Sequence, residues 1–375
     1  MHREKSAAGP LALCYAALIV YATLFPFTGW RDQGLPPWAY LHAPLPQYWT
    51  RFDLLANFAG YAPLGFLLAL ALLPAWGAWR AVALAALGPA LLSFGLEALQ
   101  SYLPLRVASN LDLALNAAGG AAGALVAVVL ERLGAIGRWR RFRRRWFVPE
   151  ARGVLVLLAL WPVALLYPAP VAFGLGQVYE RAETALAALL KGTPFLEWLP
   201  LREVELQPLL PGVEVLCVAL GVLAPCLLGY SVMLHTGRRA LLAALALAVG
   251  VAASALSAAL TWGPVYAWAW LDRPQRWGLM AGAGLALLAL PLPRRACVPV
   301  LMATLALGLA LLNQAPESAY DAANLQVWEQ GRFIHFYGLA QWVGWLWPYA
   351  ALLYLAGRLL RRGPAQAPAL PTISA

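Results

Sequence analysis

Long apolar stretches dominate this chain, and its polar side chains gather near the ends of those stretches instead of alternating through them. A bilayer crossing needs about 20 mostly apolar residues, and ten segments qualify: roughly 8–28, 54–75, 81–101, 111–133, 153–172, 212–234, 240–261, 276–293, 296–314 and 337–360. Between the eighth and ninth, Pro291, Pro293, Arg294 and Arg295 leave only a tight turn. Backbone polar groups inside lipid must be satisfied within the segment itself, which selects helices. The pattern predicts an all-α, polytopic integral membrane protein of about ten transmembrane helices.

Composition strengthens that expectation. Of the 375 residues, 62% are hydrophobic and 12% charged, whereas soluble domains run at about 45–50% and about 25%. The mean hydropathy of +0.67 excludes an ordinary soluble domain.

Charge gives the orientation. With the N-terminus inside, the inner segments carry 18 of the 27 Lys and Arg residues, and among acids only Glu4, Glu131 and Glu150. Positive charge is retained on the cytoplasmic side, so both termini are expected there, in the cytoplasmic (inner) membrane. The net charge of +10 is thus a topology signal. RWRRFRRRW, from Arg138 to Trp146, reads as a solvated juxtamembrane loop beside anionic lipid, and nothing else resembles a nucleic-acid module. Arg3 and Lys5 precede an apolar stretch as in a signal peptide, but that stretch is as long as a span and ends in LFPFTGWR without a small-residue cleavage site. It is expected to remain as the first helix.

The resulting organisation is a four-helix domain at 1–135, a basic cytoplasmic loop at 136–152, a six-helix extension at 153–362 with an outer loop at 173–211, and a disordered Pro- and Ala-rich tail at 363–375. Within the outer loop, Tyr179, Ala182, Leu186 and Leu189 recur at helical spacing and predict an amphipathic surface helix. Cys14, Cys217, Cys226 and Cys297 form no C-x-x-C pair and the four histidines are scattered. No disulfide framework, metal site or cofactor is expected.

Three polar strings interrupt the apolar pattern: DLLANFAGYAPLG from Asp53 to Gly65, EALQ from Glu97 to Gln100, and LRVASNLDLALNAAGGAAG from Leu105 to Gly123. Asp53 with Asn57 and Asp112 with Asn116 are four apart, and Glu97 with Gln100 three apart, so each pair shares a helical face. The topology sends all of them, with Arg106, to the outer leaflet. FDLLANFAG and LDLALNAAG repeat one pattern 59 positions apart, as a parallel duplication of a helical hairpin would.

Each position also has a structural reading. Asp53 and Asn110 suit helix N-caps, Asn57 and Asn116 suit interhelical bonding, and Gly119 with Gly123 suit close helix packing. Glu97 resists this treatment, because a carboxylate near a helix C-terminus opposes the dipole and a charge at membrane depth costs about 3 kcal/mol. A Glu97–Arg106 ion pair and a functional carboxylate both remain open.

D-x-x-x-N followed by PLG, E-x-x-Q, and R-x(5)-D-x-x-x-N-x-x-G, in this order on successive helices, resemble the VanZ-like membrane protein family over roughly residues 10–135. The resemblance marks Asp53, Asn57, Pro63, Gly65, Glu97, Gln100, Arg106, Asp112, Asn116 and Gly123. Ser109 departs from the pattern, standing where many members carry another aspartate. The family is named for an accessory protein of glycopeptide-resistance clusters, associated with tolerance of a lipid-tailed drug, and it implies a location more firmly than a reaction.

A further polar group, Glu329, Arg332, His335 and Gln341, lies among Trp328, Phe336 and Trp342 in the last outer segment. It reads either as an interfacial aromatic belt or as a second wall of an outer pocket, with His335 titrating near neutrality.

The leading expectation is binding or remodelling of an envelope lipid, glycolipid or lipid-linked saccharide at the outer leaflet. Arg106 would take a phosphate or carboxylate, Asn57, Gln100 and Asn116 would bond hydroxyls, and Trp38 or Trp49 would stack on a sugar. The alternative is a membrane-embedded hydrolase or transferase using Glu97 with Asp112 or Asp53 as acid and base. A transporter is the third, though its ionisable groups should reach the midplane.

Overall fold

The computed structural model describes residues 8–24, 27–46, 51–104, 106–167, 169–198, 206–316 and 334–360, with backbone alone at 52, 53 and 334–339. Among these the fold is helical, and the β structure is a single bridge between Phe147 and Met233. The chain divides into two compact units, Met1–Arg144 and Arg145–Ala375. Among the described residues, five helices are long and apolar enough to cross a membrane: Leu54–Gln100, Asn110–Arg132, Pro211–Tyr230, Thr236–Trp262 and Arg294–Leu312.

The first unit contains α1 (Ala8–Leu24), α2 (Arg51–Gln100) and α3 (Asn110–Arg132). α2 is not one rod. Gly77, at φ 71° and ψ 172°, breaks it, in a region of backbone space open essentially to glycine alone. The two arms fold back on each other, because Leu64 meets Leu96, Ala69 meets Ala85 and Leu73 meets Ala81 in shared buried clusters. The turn lies in the gap expected between the second and third apolar segments, and it exposes Trp76 and Trp79.

α3 lies against both arms at backbone distance. A Cβ on Gly119 would stand 2.0 Å from the Phe58 carbonyl oxygen, and one on Gly123 would stand 1.9 Å from that of Ala62. The register rises together along both helices, so the first arm and α3 run parallel. On α3's other side Gly120 touches Pro89 of the second arm. α1 is fastened to the hairpin by Tyr15, whose hydroxyl donates to the Gly60 carbonyl at 2.9 Å.

The basic run Arg138–Trp146 forms a helix, α4 (Ala135–Trp146), with no buried residue. Trp139 and Phe142 are exposed and stack at 5.5 Å, while the arginines occupy the rest of the circumference, the residue distribution of a basic surface helix.

The second unit contains α5 (Arg152–Ala164), α6 (Tyr179–Leu190), α7 (Pro211–Tyr230), α8 (Arg239–Trp262), α9 (Arg273–Leu288), α10 (Arg294–Leu312) and α11 (Ile334–Leu360). α7 is its axis, buried almost throughout from Cys217 to Tyr230. α9 reaches it through Gly278 and Gly282, which face Val218 and Val222. The tight turn after α9 is held by buried Arg239, whose guanidinium donates to the carbonyls of Leu290 at 2.7 Å and Tyr230 at 3.1 Å and to that of Leu292.

α5 stops at Ala164, short of its expected end near 172, with Pro162 already inside its last turn. α6 forms where the amphipathic segment is expected, and Tyr179, Leu186 and Leu189 of its apolar stripe are exposed. Its start is anchored by Asn313, whose Oδ1 accepts from the Val178 and Tyr179 amides at 3.0 and 3.1 Å. Glu329, Arg332 and the tail from 363 lie outside the described residues, as do the side chains of Asp53 and His335.

Candidate functional site

Because α2 doubles back at Gly77, Asn57 near its start and Glu97 near its end arrive at the same end of the first unit as the start of α3. Ser109 shapes that start. In extended conformation it N-caps α3, its hydroxyl accepting from the Asp112 amide at 3.3 Å. Its own amide donates to Glu97 Oε2 at 2.8 Å.

Glu97 is 4% exposed, and its Oε2 accepts from the Ser109 amide. A backbone amide satisfies a buried carboxylate without adding a second buried charge. Arg106 is half-buried in the connection between α2 and α3, where removal from water lowers its guanidinium pKa.

Two further bonds cross between helices. Asn57 Nδ2 donates to Asp112 Oδ1 at 2.7 Å, tying the first arm to α3. Asn116 Nδ2 donates to Ser93 Oγ at 2.9 Å, tying α3 to the second arm. Asn116 and Ser93 are 3% and 0% exposed, and Asn116 Oδ1 is buried without a hydrogen-bond partner. Gln100 turns elsewhere, donating to the Thr23 carbonyl of α1 at 3.3 Å. The two members of the sequence repeat therefore have different fates: Asn57 bonds an acid, and Asn116 bonds a hydroxyl.

The segment after α1 straps this end. The Arg31 amide donates to the Tyr102 carbonyl at 2.9 Å, Gln33 Nε2 to the Ser101 carbonyl at 2.6 Å, and Asn110 Nδ2 back to the Ala43 carbonyl at 2.7 Å. Buried Tyr40 donates to the Phe94 carbonyl at 3.2 Å. Its phenol pKa is raised, first by burial and then by the charge of Glu97, so it stays a donor. Trp38 is 58% exposed, and Trp49 lies outside the described residues.

Ser93, Tyr61 and Tyr40 join a site that the motifs do not mark. Ser93 was readable: it precedes Glu97 by four and Gln100 by seven, one polar stripe on an apolar helix. Tyr61 borders Ser93, Glu97 and Asp112. Tyr40 has no such signal, since a loop brings it in.

The end of the unit is rich in acceptors. Asp112, Glu97 and the unbonded Asn116 Oδ1 suit a donor such as a hydroxyl, and the guanidinium of Arg106 suits an anion. Among the described residues no three His, Cys, Asp or Glu side chains gather as a metal ligand set.

Comparison with curated proteins and with solved structures gives no match. The family model described as VanZ/LLP1 matches residues 12–131, the span holding α1, the α2 hairpin, α3 and every bond described above. The chain is a membrane protein whose N-terminal unit belongs to the VanZ-like family.

Proposed function

We propose that the VanZ-like unit binds the polar head of an envelope lipid, glycolipid or lipid-linked saccharide at the outer leaflet of the cytoplasmic membrane. The observation carrying this reading is the buried Asn116 Oδ1, which has no hydrogen-bond partner, one helical turn after Asp112 on α3. An unsatisfied buried acceptor costs about 1–3 kcal/mol, and a ligand hydroxyl donating to it would recover that free energy. Arg106 takes a phosphate or carboxylate of the same head, and the acyl chain lies along the helices. The family link to glycopeptide tolerance belongs to this proposal: a protein that sequesters such a head would alter how a lipid-tailed drug meets the envelope.

Orientation follows from the charge count, with both termini and the basic α4 on the cytoplasmic side. The six-helix extension then adds further spans, and the segment with Glu329, Arg332 and His335 falls on the outer face.

A second reading is a hydrolase or transferase, favoured by the proximity of buried Glu97 to Asp112. Glu97 serves there as acid or base, with Asp112 or Asp53 as its partner.

Lipid retained by the purified chain and identified by mass spectrometry separates these readings. Binding alone predicts an intact polyhydroxylated or anionic lipid enriched over the bulk membrane. Catalysis predicts turnover of that lipid that is lost in Glu97→Gln.

A further inference from the structure

The second unit contains a cavity of about 350 Å³, within the range of about 300–1,000 Å³ typical of small-molecule sites. It opens where the C-terminal ends of α5 and α8 meet the N-terminal ends of α7 and α9. Tyr167, Phe173, Trp262 and Trp270 supply aromatic walls, and Glu214 and Asp272 supply carboxylates. Exposed Tyr266 and Trp268 lie in the adjoining turn, as expected for aromatic residues at a membrane surface.

Two wall residues carry polar atoms whose bonding is incomplete. Trp270 Nε1 is a buried donor without an acceptor, and Gln275 Oε1 is a buried acceptor without a donor. Gln275 is 5% exposed, and its Nε2 is already committed to Glu214 Oε1. Asp272 caps α9 by accepting from the Gln275 amide at 3.2 Å, which fixes one acid at the rim. Buried groups of this kind are almost always satisfied by protein, water or ligand, and in the cavity wall both can bond to a molecule held there.

The inventory selects its chemistry. An ammonium would suit the carboxylates but cannot accept from the Trp270 indole. A phosphate would accept from the indole but would face Glu214 and Asp272, and no Lys, Arg or His lines the cavity among the described residues. A hydroxyl both donates and accepts. The flat faces of Trp and Tyr suit the C–H face of a pyranose ring.

We propose that this cavity binds a glycosyl group, with sugar hydroxyls accepting from Trp270 Nε1 and donating to Gln275 Oε1, Glu214 and Asp272. The site lies outside the VanZ-like unit and does not depend on the reading given for it.

The test uses the full chain in lipid nanodiscs, titrated with methyl glycosides of glucose, galactose, mannose and N-acetylglucosamine, and read by saturation-transfer NMR against empty nanodiscs. Tetramethylammonium and inorganic phosphate are the comparison probes. At least one glycoside should bind in preference to both. Trp270→Phe keeps an aromatic wall but removes the N–H, and should weaken that glycoside by about fivefold or more. Ser254→Leu, on the cavity wall, should abolish binding by filling the space; if it does not fold, Trp270→Phe decides alone. Absence of glycoside binding, binding unchanged in Trp270→Phe, or preferential capture of tetramethylammonium or phosphate would each overturn the proposal.

Discussion

Ser109 holds Glu97 through its backbone: its amide donates to Glu97 Oε2 at 2.8 Å while its side chain caps α3. The carboxylate is thereby bound to the entry of the next helix. Glu97→Gln retains an acceptor for that amide and should change the detergent melting temperature little. Glu97→Ala strands the amide in a buried place and should cost about 1–3 kcal/mol, read as a lower melting temperature. Equal losses in both variants would mean that the charge, not the acceptor, stabilises the helix entry.

The Asn57–Asp112 bond joins the first arm of α2 to α3 at 2.7 Å. A double-mutant cycle with Asn57→Leu and Asp112→Ala should give a coupling on the order of 1 kcal/mol, the scale of interhelical bonds in membranes. Additive effects would remove this bond from the stability of the unit.

Gly123 has no room for a side chain, since a Cβ would lie 1.9 Å from the Ala62 carbonyl oxygen. Gly123→Ala must push α3 away from the hairpin. It should cost about 1–3 kcal/mol or more and disturb the bonds of Asn57 and Asn116 together. Gly60, where a Cβ meets nothing within 4 Å, supplies the contrast, and Gly60→Ala should be well tolerated.

Topology is tested at Val107, which is 86% exposed. Val107→Cys, in a chain with Cys14→Ala, should react with an impermeant maleimide from outside spheroplasts. Labelling only after lysis would reverse the orientation. Ser109 in the same connection is a poor probe because it is 7% exposed and caps α3.

Much of the first unit was legible because its constraints are local. Apolar length placed the segments, and four-residue spacing put Asp112 and Asn116 on one face. The Gly119 and Gly123 pair announced a close helix contact. The hairpin at Gly77 fell in a short, aromatic-flanked gap that any tight turn would have suited.

Partner choice was not legible. The Ser109 amide engages Glu97 Oε2, and backbone amides have no signature in a side-chain pattern. The helix within the basic run was hidden because charge masks helical periodicity, and only Trp139 with Phe142 betrays a face. In the second unit Glu214, Trp270 and Gln275 come from segments about 60 residues apart, so no short motif gathers them.

The acceptor-rich end of the VanZ-like unit is proposed to hold a lipid head. Native mass spectrometry of the full chain, extracted with its lipids, measures this directly when wild type is compared with Asn116→Leu and Arg106→Gln. A polyhydroxylated or anionic lipid should be retained by wild type and depleted in both variants at unchanged protein yield. Retention of bulk phospholipid alone, in the same amount in all three proteins, would contradict it.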